Sequence, residues 1–218
     1  MGVVSLGELL IDFVALESGV SVGDASGFEK KPGGAPANVA VAVQRLGVPC
    51  YFMGQVGDDP FGHYLAGVIQ AEGVDVTALT FSDVARTALA FVSLGANGER
   101  SFQFYRHPSA DMLMTTDDLR LEVLDHAQIF HFGSITMITD PSKTATLTAA
   151  RTALERGLKV SYDPNLRLAL WEDADAARAG MMLGMDFAHV VKVSDEELAF
   201  LTEGDLAPLW REHTEVIL

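Results

Sequence analysis

The sequence predicts an α/β fold, a mostly parallel sheet flanked by helices, and three observations carry that reading. Short apolar runs suited to strands recur at 2–6, 51–56, 128–132, 158–162, 188–193 and 215–218, bounded by Gly, Asp or Pro. Helical patterns at 36–46, 60–72 and 141–156 fall between them, so strands and helices alternate as in a parallel sheet. Two segments break the rhythm: 13–31, rich in Gly and Ser, and 86–106, which reads as two strands around an Asn97-Gly98 turn. These two are expected to form a small β-flap, a lid inserted into a single α/β domain that spans residues 1–218.

Taken in order, MGVVSLGELLIDFVAL reads as one buried first strand. Glu8 and Asp12 interrupt it and no basic leader precedes it, so it resembles neither a signal peptide nor a membrane span. The three helical patterns open with Pro36, Pro60 and Pro141, which suit a first turn, and Gly47, Gly73 and Gly157 close them. The final TEVIL has the look of a buried strand with nothing after it to cover the sheet edge, so the fold is expected to be incomplete at its C-terminus.

Bulk properties exclude several classes of function. With 218 residues, 49% of them apolar, the chain can bury one large core. A net charge of -15 argues against a nucleic-acid partner, which needs basic patches to meet phosphate. Cys50 is the sole cysteine, so no intrachain disulfide forms and a cytoplasmic setting is expected. The six histidines lack the spacing of a zinc helix. Serine-hydrolase elbows and phosphate-binding P-loops are absent from the sequence. No G-x-G-x-x-G follows the first strand, which disfavours a dinucleotide-binding oxidoreductase.

Three segments carry chemistry. In Gly33-Gly34-Ala35-Pro36-Ala37-Asn38, two glycines allow close approach of backbone to a ligand just before a helix N-terminus; read alone, the pair is equally a tight turn. Arg106, ending a flap strand, offers either a forked donor to ligand oxygens or a surface ion pair. Asp163-Pro164-Asn165-Leu166-Arg167 lies at a strand end, where ligands bind in open parallel sheets, although Asp163 suits a turn on its own account.

The stretch GGAPANVAVAVQRLGVPCYFMGQVGDDPFG, residues 33–62, resembles the N-terminal signature of PfkB-family carbohydrate kinases, with Asn38, Ala40, Gly47, Gly54 and Gly57 in order. The resemblance extends to GELLIDF (7–13), FYRHPSADMLM (104–114) and FHFGSITM (130–137), and so covers essentially the whole chain. Within the family the FYR-x-P-S-A-D-M-L pattern is most similar to fructokinases, with His107 where asparagine is expected; 2-keto-3-deoxygluconate kinases share the Tyr-Arg.

The resemblance implies a ribokinase-like fold and ATP-dependent phosphorylation of a sugar hydroxymethyl group, D-fructose to fructose 6-phosphate. The alternatives it leaves are a 2-keto-3-deoxygluconate kinase, or a non-catalytic sugar-binding protein if the chain is naturally truncated. It implies a sugar site of Asp12, Gly33, Gly34, Asn38, Phe104, Arg106, Asn165 and Arg167. ATP and Mg2+ would meet Lys192 and Glu197, with Glu197 at the metal and Ser194 replacing the asparagine of the family's N-x-x-E. Ser194 before Asp195, Glu196 and Glu197 is equally a helix cap. A monovalent cation such as K+ and a homodimer through the lid also come with the resemblance. The family's D-T-x-G-A-G-D segment, which holds the catalytic base, has no counterpart in residues 1–218, so the base aspartate is expected beyond Leu218 and the chain alone is expected to be inactive. Replacing Asn38 or Arg106 by alanine is expected to weaken sugar binding without unfolding the protein.

Overall fold

The computed structural model describes residues 2–95 and 100–218. In chain order its elements are β1 (Val3–Leu6), β2 (Leu10–Ser18), β3 (Phe28–Gly33), α1 (Ala35–Arg45), β4 (Cys50–Gly57), α2 (Pro60–Ala71), β5 (Leu79–Ser82) and β6 (Leu89–Leu94). There follow β7 (Arg100–Tyr105), β8 (Ile129–Gly133), α3 (Ser142–Glu155), β9 (Lys159–Asp163), α4 (Ala174–Met185), β10 (Val190–Val191), α5 (Asp195–Thr202) and β11 (Val216–Ile217).

Seven strands make one sheet in the order β11-β10-β9-β8-β1-β4-β5, every pair parallel. Alternation along the strands divides the core. Val4, Leu6, Met53, Phe130 and Phe132 pack with α3 and α4, while Val3, Phe52 and Val56 pack with α1 and α2, so helices cover both faces. Pro36 and Pro60 lie in the first turns of α1 and α2 as read, whereas Pro141 precedes α3, and the closing glycines Gly47, Gly73 and Gly157 sit at φ 84, 90 and 77°. Asp59 further accepts from the Phe61 and Gly62 N–H groups ahead of α2. Strand β5 has no forerunner in the sequence reading; four residues of LTFS are too short to display a period.

The N-terminal run corrects the expectation of one buried first strand. It is two strands in two sheets, β1 in the parallel sheet and β2 in a smaller one, separated at Gly7-Glu8-Leu9. The smaller sheet has the order β3-β2-β6-β7 and starts at Leu10, three residues before the segment assigned to the flap. Strands β6 and β7 pair antiparallel from Leu89–Tyr105 to Leu94–Arg100, whereas the Asn97-Gly98 turn lies outside the described residues. In this register Lys31, Asp12, Ala90 and Phe104 form one cross-strand row on one face, and Phe104 packs with Leu10, Ala88 and Ala90. No helix among the described residues is long and apolar enough to cross a membrane.

His131, on β8, is buried beside the Ser161 hydroxyl of β9 at 3.1 Å, and burial pushes its pKa down from 6.5 to about 4. A histidine held neutral by the fold leaves stability intact above its unfolded pKa and withdraws it as protons bind the unfolded chain more readily. Between pH 6.5 and about 4 this single group should therefore cost about 3 kcal/mol. Urea midpoints at pH 7.5 and 4.5 should differ less in His131→Gln than in the parent.

Candidate functional site

The chain runs outward from β1 in both directions, to β4 and β5 on one side and through β8, β9, β10 and β11 on the other. The loops leaving the carboxyl ends of β1 and β8 thus diverge, which opens the crevice where ligands sit in such sheets. Each side of the crevice is tied within itself: the Ser5 hydroxyl of β1 donates to the Pro36 carbonyl of α1 at 2.7 Å, and the Ser134 hydroxyl after β8 donates to the Pro164 carbonyl after β9.

At the end of β1, Glu8 is buried and its carboxylate accepts the Ala35 N–H at 2.8 Å. Gly34, ahead of α1, has φ 110°, and a Cβ there would collide with the Glu8 carbonyl oxygen. A Cβ on Gly33 would instead meet the Asp12 carboxylate and the tip of Leu10, so this glycine leaves room for the Asp12 side chain. Burial raises the Glu8 carboxyl to about 7, against the opposing pull of backbone N–H groups and the Arg106 charge.

Arg106 closes β7 and is 4% exposed, its guanidinium bonded to Asp111, itself 2% exposed and also held by the Ser109 hydroxyl. The bland alternative of a surface pair is therefore replaced by a buried one. So is the expectation that Arg106→Ala leaves the fold intact, because removing the arginine strands a buried carboxylate. Phe104 and Arg106 line a cavity of about 850 Å³ between β7, the 137–143 segment and α4, together with Met137, Lys143, Trp171 and Gly180.

The other expected residues divide. Asn38 lies exposed on α1 and, with Gly33, lines a separate hollow of about 260 Å³ between α1 and α2, not the large cavity. Asn165 follows β9 at φ 48°, a left-handed conformation asparagine tolerates, and its N–H donates to Asp163 at 3.1 Å. Its side-chain oxygen is buried without a hydrogen-bond partner among the described residues. Arg167 donates to the Leu166 carbonyl at 2.8 Å and lies over the Phe102 ring of the small sheet at 5.7 Å.

Lys192 and Glu197 stand at the carboxyl end of β10. Glu197 is 6% exposed, and its two oxygens accept the Leu166 and Ser194 N–H groups, each at 2.8 Å, in a capping box with Ser194. The cap reading thus describes Glu197, and its oxygens are already engaged. Among the described residues no group of three or more His, Cys, Asp or Glu side chains could hold a metal, so any Mg2+ here would rely on water and nucleotide phosphates besides Glu197, and no chemical step is derived through it. Lys192 is half exposed, 3.4 Å from Asp163 and 3.9 Å from Glu197. Burial, then the Glu197 charge, raises the Asp163 carboxyl, with Lys192 opposing.

Sequence reasoning missed Glu8, Asp111 and Phe102 as site residues. The signals were present for the first two: an acidic residue inside an apolar run, and another five residues after a buried arginine, both of which require partners.

The pattern of the pfkB family carbohydrate kinases matches residues 2–217. The probable fructokinase-4 of Arabidopsis thaliana is 51% identical over 222 residues, 99% of this chain and 68% of that protein. Fructokinase-2 of Oryza sativa subsp. japonica is 53% identical over 203 residues, covering 93% of this chain and 60% of that protein. The fructokinase of Xylella fastidiosa superposes with a TM-score of 0.89 at 37% identity, over 100% of this chain and 69% of that one. The chain therefore spans between 60% and 69% of the length of these relatives.

Proposed function

Because the chain belongs to the pfkB family of carbohydrate kinases, we propose that it serves ATP-dependent phosphorylation of a neutral ketose, D-fructose to fructose 6-phosphate. The observation that carries the choice of sugar is the likeness to fructokinases, 51% and 53% identical over 99% and 93% of this chain. The Arg106 charge is in addition already engaged by a buried carboxylate, which leaves Lys143 as the cation lining the large cavity. An acid sugar such as 2-keto-3-deoxygluconate needs a positive charge of its own, and a neutral ketose does not.

In this reading Asp12 accepts from sugar hydroxyls beside the Gly33-Gly34 turn, and Phe104 packs against the carbon face of the ring. Arg106, oriented by Asp111, presents its remaining N–H groups to sugar oxygens. The small sheet acts as a lid that keeps water, the competing phosphoryl acceptor, from the reacting hydroxyl. Arg167 and Asn165 stand at the neighbouring strand end to steady the phosphate being transferred, and Lys192 meets the nucleotide phosphates. Asn38, which lines the smaller hollow together with Gly33, meets the sugar from the side of the Gly33-Gly34 turn. The proton of the attacking hydroxyl needs a carboxylate that the family's D-T-x-G-A-G-D segment carries and residues 1–218 lack. Mg2+ and a monovalent cation such as K+ belong to the proposal at the level of the reaction, without assigned ligands. A homodimer through the lid is supported by the exposure of Leu16 and Tyr105 on that sheet.

The test is ATP-dependent ADP release with fructose against 2-keto-3-deoxygluconate. Fructose-dependent release is the expected result from a protein that carries this chain together with the family's D-T-x-G-A-G-D segment, and no release is expected from residues 1–218 alone. Release with the acid sugar alone contradicts the choice of substrate, and release with neither reduces the reading to sugar recognition.

A further inference from the structure

Gly34 supplies no side-chain cap to α1, so the Ala35 N–H at the head of this helix has no local acceptor. Its acceptor comes from another strand, through Glu8. The same residue meets the turn a second time, since its carbonyl oxygen occupies the space a Cβ on Gly34 would need. On its other side Glu8 interacts electrostatically with Arg106 and Asp111. One buried carboxylate thus touches the glycine turn and senses the lid arginine.

We propose that Glu8 is a positioning residue of the sugar site: through the Ala35 N–H and its own carbonyl it fixes the Gly33-Gly34 turn relative to β1. This rests on the sugar-kinase reading above. Glu8 does not touch the sugar; it holds the turn beside which Asp12 stands, and it does so from the inside, where water cannot substitute as acceptor.

The experiment is calorimetric titration of fructose into the 218-residue chain and into Glu8→Ala, Glu8→Gln, Ala35→Pro and the Glu8→Ala/Ala35→Pro double variant, with amide exchange read at residue 35. Glu8→Ala should bind fructose about tenfold more weakly and leave the Ala35 amide less protected, as expected for a lost buried charged acceptor. Glu8→Gln keeps an oxygen for that N–H and should recover most of both. Ala35→Pro removes the donor at a helix position that accommodates proline, and should weaken binding as Glu8→Ala does. Both changes cut one bond, so the double variant should be no weaker than the worse single one.

Parent affinity in a folded Glu8→Ala, equal impairment of Glu8→Gln and Glu8→Ala, or additive losses in the double variant would each overturn the proposal. Should Glu8→Ala fail to fold, parent affinity in Ala35→Pro overturns it alone. A parent chain that binds no fructose removes the substrate reading and this inference with it, whereas a parent that binds beside an unaffected Glu8→Ala removes only this inference.

Discussion

Arg106→Ala lowers the stability of the fold by about 3–5 kcal/mol, because it leaves Asp111 charged, buried and without its cation. Chemical denaturation should show the loss directly as a lower midpoint at unchanged slope. Most of that loss belongs to the stranded carboxylate and not to the pair itself, so Arg106→Met with Asp111→Leu should recover the larger part of the stability. Fructose affinity should not return in the double variant, since the donors are gone. Recovery of stability without recovery of binding separates the structural role of the pair from its role at the sugar.

The second large effect distinguishes two adjacent glycines. Gly34→Ala should cost on the order of 3 kcal/mol, since φ 110° is foreign to an L side chain and the atom in the way is a backbone carbonyl oxygen that cannot rotate aside. Gly33→Ala meets only the ends of the Asp12 and Leu10 side chains, and should cost about 1–2 kcal/mol as these turn away. Turning Asp12 away is costly to function, and fructose binding should fall about tenfold in Gly33→Ala with the loss of a charged hydrogen bond. Melting curves and calorimetry on the two variants check both arms; equal stability losses would refute the distinction.

The parallel sheet was legible because its strands are buried on both faces and so appear as apolar runs, each stopped by Gly, Asp or Pro. Helices α1, α2 and α3 were legible through their prolines and closing glycines, and α5 through Ser194 and the acids after it. Helix α4 was not, because ADAARAGMMLGM mixes small residues with methionine and gives no clear apolar stripe. The division of β1 from β2 was hidden for a different reason. The apolar run continues across it, and the break is marked by contacts far along the chain: the Glu8 carbonyl packs tightly against Gly34 and its carboxylate accepts the Ala35 N–H.

Local sequence marked most of the site but could not assign partners. Arg106 was visible as a donor, yet its occupation by Asp111 depends on the turn after β7. Asn38 sits in the strongest motif of the chain, but its position on α1 turns it to the hollow shared with Arg45 and Glu72. Glu197 carried two readings of equal standing in sequence; only the placement of the Leu166 N–H at 2.8 Å shows that both its oxygens are taken.

The most direct measurement is calorimetric titration of the parent chain with fructose and, separately, with 2-keto-3-deoxygluconate at neutral pH. The fructokinase reading predicts saturable single-site binding of fructose and weaker heat from the acid sugar, for which Arg106 is already held by Asp111 and Lys143 is the cation left to the cavity. Binding of 2-keto-3-deoxygluconate with fructose silent would contradict it, and would mean that Lys143 or a released Arg106 meets the carboxylate of the substrate.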